Sequence, residues 1–85
     1  MYTVEFSKGS LKALLNMPRN TALLIRSKID GVAQDPFAPN NNVKALQGRP
    51  GYRLRVGDWR VIYDLDNALR ILAVERIAPR GGAYE

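Results

Sequence analysis

Eighty-five residues, 46% hydrophobic and 25% charged, suffice for one small core and exclude both a disordered chain and a two-domain one. Thirteen Lys and Arg against eight Asp and Glu give a formal charge of +5, which favours phosphate-rich or acidic partners. Without cysteine or histidine there is no disulfide, no thiolate chemistry and no imidazole base. No apolar run approaches the ~18 residues of a membrane span, and no signal-peptide pattern opens the chain, so a cytoplasmic protein is expected.

Residues 2–6 alternate and are rich in β-formers, which predicts a first strand. Ser7 is a fitting N-cap for a helix over residues 8–16, with Leu11, Leu14 and Leu15 at i, i+3 and i+4 as its apolar face. Pro18 ends that helix and suits the first turn of a second one over residues 19–34. The buried stripe there should be Ala22, Ile25, Ile29, Val32 and Ala33, joined by Leu24, with Arg26, Lys28 and Asp30 wet. The Asp-Pro-Phe-Ala-Pro-Asn-Asn-Asn run at 35–42 is a loop, and residues 43–46 lead into a second turn at Gly48-Arg49-Pro50-Gly51.

The stretch from Tyr52 to Tyr63 organises the rest. Tyr52, Leu54 and Val56 alternate with Arg53 and Arg55, Gly57-Asp58 supplies a two-residue turn, and the return strand places Trp59, Val61 and Tyr63 opposite Arg60 and Ile62. If both apolar sets face one core, Arg53, Arg55 and Arg60 emerge together on the other side. Core building gives no reason to gather three guanidinium groups, whereas an anionic partner does. After a tight turn at Asp66-Asn67, residues 69–76 form a final strand whose near-continuous apolar run predicts an interior place in the sheet. Asp58, Asp64 and Asp66 read as turn residues, so no metal is expected. The order β-α-α-β-β-β is that of a single α+β domain over residues 1–85. Two N-terminal helices lie on one face of a small, twisted, mostly antiparallel sheet, and the arginines line the other face.

Lys44-Ala-Leu-Gln-Gly48, Tyr52-Arg-Leu-Arg-Val-Gly-Asp-Trp-Arg-Val-Ile-Tyr63 and Arg80-Gly-Gly-Ala-Tyr84 together resemble the RelE/ParE superfamily of bacterial and archaeal toxins, over nearly the whole chain. The resemblance implies the toxin half of a type II toxin–antitoxin pair, with a small antitoxin that wraps it and covers its basic surface. RelE-like members enter the ribosomal A site and cleave mRNA without a metal or cofactor, the 2′-hydroxyl attacking the adjacent phosphate. ParE-like members share the fold, lack the nuclease residues and poison DNA gyrase. Arg53 and Arg55 fall where RelE-like toxins carry two basic strand residues. Arg60 falls on the family arginine of the next strand, and Arg80 and Tyr84 match the arginine and tyrosine near the C-terminus.

Cleavage of this kind needs a base for the 2′-hydroxyl, an acid for the leaving 5′-oxygen and cations for the extra negative charge. Arg60 and Arg80 are expected to clamp the scissile phosphate through bidentate forks. Arginine does not deprotonate, and this chain carries arginine where other family members have lysine. Tyr84 is therefore the candidate base, its phenol shifted toward phenolate by neighbouring guanidinium groups, with Arg53 or Arg55 stabilising charge. Lys44 and Arg49 are expected to contact RNA phosphates without base specificity. A gyrase-binding toxin is the alternative reading, and a nucleic-acid-binding module without a target of its own is a third.

Overall fold

The computed structural model describes residues 1–80, and the elements run β1 (Thr3–Phe6), α1 (Lys8–Asn16), α2 (Arg19–Gln34), β2 (Val43–Ala45), β3 (Tyr52–Val56), β4 (Trp59–Asp66) and β5 (Ile71–Pro79). The five strands form one sheet in the order β1-β5-β4-β3-β2. The pairing is antiparallel throughout except that β1 runs parallel to β5. This is the expected α+β architecture with one strand more. Val43–Ala45 does not merely lead into a turn: it pairs Val43 with Leu54, Lys44 with Arg53 and Ala45 with Tyr52 as an edge strand. A three-residue strand has too few side chains to show an alternation, so its periodicity is invisible in the sequence.

Ser7 caps α1 as expected, its Oγ accepting from the Ser10 backbone N–H at 3.1 Å. The buried residue of that helix is Ser10, whose Oγ donates to the Ser7 carbonyl at 2.9 Å. Leu14 and Ala13 pack on the core, but Leu11 and Leu15 are exposed, which corrects the expected leucine face. α1 meets the sheet mainly along β5, and the turn carrying Ser10, Ala13 and Leu14 faces it. In α2, Ile25, Ile29, Val32 and Ala33 are buried and Ala22 packs against them. Leu24 is half exposed, outside that stripe. Pro18 is the N-cap of α2 rather than a first-turn residue: its φ of −56° with ψ of 141° is extended, and its carbonyl accepts from the Ala22 N–H.

The core between helices and sheet contains Leu54, Val56, Val61, Tyr63, Leu72, Val74 and Ile77, with Tyr52 and Trp59 packed against it. β5 is interior, as its apolar run predicts, but it begins at Ile71 and continues to Pro79, and Leu69 is left exposed in the turn before it. Val74 and Ile77 both face the helices although they stand three positions apart, an odd spacing that would place them on opposite faces of a regular strand. A bulge resolves this: Ile62 pairs with Arg76 while Tyr63 pairs with Val74, so one extra residue of β5 lies opposite the Ile62–Tyr63 step. The bulge reverses the strand's parity and turns Arg76 and Ala78 toward the face that carries Ile62 and Arg60. That open face has its own small apolar patch, where Ile62 and Ala78 are buried under Leu46.

Candidate functional site

The register of the hairpin decides where the arginines go. Arg55 pairs with Arg60 and Arg53 with Ile62, and side chains of directly paired residues share a face. Lys44 pairs with Arg53, and Ile62 with Arg76. Two rows therefore cross the helix-free face, one reading Lys44, Arg53, Ile62, Arg76 and the other Arg55, Arg60, Ala78. Arg80 joins at the end of β5, its N–H donating to the Asp58 carbonyl at 2.6 Å, which brings the strand's exit against the Gly57–Asp58 turn.

Five of these residues, Lys44, Arg53, Arg55, Arg60 and Arg80, border two adjoining clefts, whereas Arg76, Ile62 and Ala78 line neither. The narrower, about 230 Å³, is walled by Lys44, Arg53, Arg55, Arg60 and Arg80 together with Asn41 and Asn42. Among the described residues it has five cationic side chains and no carboxylate in its walls. The wider, about 540 Å³, shares Asn42, Arg55, Arg60 and Arg80 and extends to Leu24 and Lys28 of α2 and to the turn at Asp58. Arg60 is held in place from below: its Nη1 donates to the carbonyls of Trp59 at 3.1 Å and Gly57 at 3.4 Å. A guanidinium so anchored keeps other N–H groups for an anion, and the fork loses less freedom on binding than a freely rotating one.

Of the residues singled out in the sequence, Lys44, Arg53, Arg55, Arg60 and Arg80 come together in the narrower cleft. Arg49 does not line either cleft: its Nη2 forms an ion pair with Glu75 Oε1 at 3.1 Å, both side chains about half exposed. Glu75 is exposed because it falls at the β5 bulge. Tyr84 lies outside the described residues. Tyr52 and Tyr63 stack on the opposite, core side with ring centroids 5.4 Å apart, and Tyr63 is 1% exposed. Burial, with Tyr52 beside it, pushes the Tyr63 phenol up to about 12, so it stays protonated and takes no part in proton transfer at neutral pH.

Four residues of the site carry no functional signal in the sequence. There Asn41 and Asn42 mark only a loop, Lys28 a wet helix position and Leu24 a core one. No local pattern separates a cleft wall from a solvated loop or helix face. They reach the arginines because α2 packs against β3 and because the Arg55 N–H donates to the Asn42 carbonyl at 2.8 Å, tying the loop to the strand. A planar, water-accessible cluster of this kind can bind a phosphodiester and neutralise charge that builds on its oxygens.

Over residues 4–84 the chain matches the family described as ParE toxin of type II toxin-antitoxin system, parDE. A Methanocaldococcus jannaschii protein bearing the toxin name RelE1 is 30% identical over 86 residues, which span 99% of this chain and 96% of that protein. The crystal structure of the archaeal RelE–RelB complex from Pyrococcus horikoshii OT3 matches with a TM-score of 0.81 at 29% identity, over 96% of this chain and 98% of that one. The intact E. coli RelBE toxin–antitoxin complex matches with a TM-score of 0.79 over 93% of this chain and 96% of that one, and at 18% identity it speaks to the fold alone. No helix among the described residues is long and apolar enough to cross a membrane.

Proposed function

This chain belongs to the family of ParE toxins of type II toxin–antitoxin systems, and from that premise we propose that it is a RelE-like endoribonuclease that cuts mRNA in the ribosomal A site. The observation that carries this reading is the narrower cleft, where Lys44, Arg53, Arg55, Arg60 and Arg80 converge on a space fit for a phosphate. Its neutralising partner is a cognate antitoxin that covers this basic surface, in keeping with the RelE–RelB complex to which the chain is similar.

In the reaction, the 2′-oxygen of one nucleotide attacks the adjacent phosphorus and the bond to the 5′-oxygen breaks. The products are a 2′,3′-cyclic phosphate and a 5′-hydroxyl. Arg60 and Arg80 clamp the phosphate oxygens as charge builds on them, each contact contributing about 2–4 kcal/mol at the transition state. Arg53 and Arg55 stabilise that charge from the neighbouring strand. The proton of the 2′-hydroxyl passes to Tyr84, assigned from the family pattern alone, and the leaving 5′-oxygen takes up a proton from water or from the ribosome. Lys44 binds a flanking phosphate. Arg49 does so only after leaving Glu75.

A cell-free translation reaction tests the reading. Purified toxin should arrest synthesis and leave mRNA fragments ending within A-site codons, and Tyr84→Phe should cut far more slowly. The second reading, a gyrase poison, is favoured by the description of the matching family. It predicts the reverse: loss of gyrase supercoiling with translation and mRNA untouched.

A further inference from the structure

The wider cleft is too large and too mixed in character to be only a phosphate site. It shares Arg55, Arg60, Arg80 and the neutral, polar Asn42 with the narrower one, but it adds the half-exposed Leu24 of α2 as an apolar wall. Asn42 is the residue both clefts have in common besides those arginines. Its backbone is fixed on both sides: the N–H donates to Asn40 Oδ1 at 2.9 Å, and the carbonyl accepts from the Arg55 N–H at 2.8 Å. Only the carboxamide remains to act in the cleft, and it is presented from a rigid point beside the phosphate clamp.

A carboxamide is a poor partner for phosphate compared with five surrounding cations, but it matches a nucleobase edge. Its N–H₂ donates and its oxygen accepts side by side, the complement of adenine N7 and N6. We infer that the wider cleft seats the nucleobase next to the clamped phosphate, with Leu24 against the base and Asn42 reading its edge in favour of adenine. Lys28, on the same helix wall one turn further on, then meets the next phosphate of the strand. This inference rests on the nuclease reading above, which supplies the phosphate that sets the register.

The test compares wild type with Asn42→Ala, a change that leaves both backbone hydrogen bonds in place. Cleavage sites are mapped on one mRNA in the translation reaction. Separately, fluorescence anisotropy measures binding of non-cleavable 2′-O-methyl RNA pentamers that carry adenine, guanine, cytosine or uracil at one position. Wild type should favour adenine in both assays, and Asn42→Ala should lower the adenine-to-other ratio by about 5- to 150-fold. If wild type cleaves without adenine preference, or Asn42→Ala keeps it, the inference is overturned while the nuclease reading stands. If wild type cleaves no RNA, the nuclease reading has failed, and equal affinity for the four pentamers overturns the base site as well. An Asn42→Ala protein that loses affinity only for its antitoxin assigns the cleft to a protein partner and overturns the inference.

Discussion

Arg55 and Arg60 stand directly opposite one another across the β3–β4 hairpin, two like charges side by side on the face the helices leave open. Directly opposed like charges lower the stability of a strand pair by roughly 0.2–1 kcal/mol. The hairpin keeps this unfavourable pair and adds Arg80 to the same clefts, an arrangement that sheet stability does not explain and that the proposed phosphate site does.

Arg55→Glu should therefore separate the two. A carboxylate opposite Arg60 replaces repulsion with attraction, and the melting temperature should hold or rise slightly. Toxicity and mRNA cleavage should fall by at least an order of magnitude, because the new carboxylate both repels the substrate phosphate and occupies Arg60. Thermal unfolding and the translation reaction, run on the same preparation, check both halves.

Salt dependence should distinguish Lys44 from Arg49. Lys44 lines the narrower cleft, whereas Arg49 is paired with Glu75 outside it. Binding of a single-stranded RNA should weaken with salt. Lys44→Ala should reduce the slope of log K against log salt by about 0.7, the share of one phosphate in a single strand. Arg49→Ala should change that slope little. Equal effects of the two substitutions would mean that Arg49 leaves Glu75 to join the RNA surface.

The core tyrosine gives a pH prediction. Among the described residues the Tyr63 hydroxyl has no hydrogen-bond partner, and burial raises its phenol from 10.0 to about 12. The folded state then holds this proton more tightly than the unfolded chain does. The associated stability is fully present below pH 10 and is lost as pH rises toward 12. Tyr63→Phe removes a buried donor that is unsatisfied, so stability at pH 7 should be unchanged or higher, and this alkaline decline should be reduced. Melting temperatures from about pH 7 to about pH 11.5 would show it.

Gly51 is the glycine the fold requires. Its φ is +118°, and a Cβ there would lie 3.1 Å from the Tyr63 carbonyl oxygen and 3.2 Å from Leu46 Cδ1. Gly51→Ala combines backbone strain with a close approach to the β4 backbone and should cost about 1–3 kcal/mol in urea unfolding. Gly57 sits at φ +59° with open space around it, so Gly57→Ala should cost about 1–2 kcal/mol from conformation alone. Because Leu46 covers Ile62 beside the arginine rows, Gly51→Ala should also impair RNA binding more than Gly57→Ala does.

The elements legible in the sequence were those whose signal is local. Helix bounds at Lys8–Asn16 and Arg19–Gln34 follow from a capping serine, a proline and a 3.6-residue apolar period. The hairpin follows from strict alternation about Gly57-Asp58, and that alternation by itself put Arg53, Arg55 and Arg60 on one face. Parity is a property of the extended chain, and it needs no knowledge of what packs where.

What the sequence left undecided was set by pairing between distant segments. Val43–Ala45 is a strand because β3 offers it an edge, and Asn42 enters the site because its carbonyl takes the Arg55 N–H. The β5 bulge turns Arg76 and Ala78 to the open face, Arg49 is drawn to Glu75, and Arg80 is drawn to the hairpin turn. Leu11, Leu15 and Leu24 satisfy a helical period yet stay exposed, since a small sheet covers only part of each helix. A residue's own neighbours fix its periodicity and conformation. The surface it meets depends on contacts made across the whole chain, and those exist only once the chain has folded.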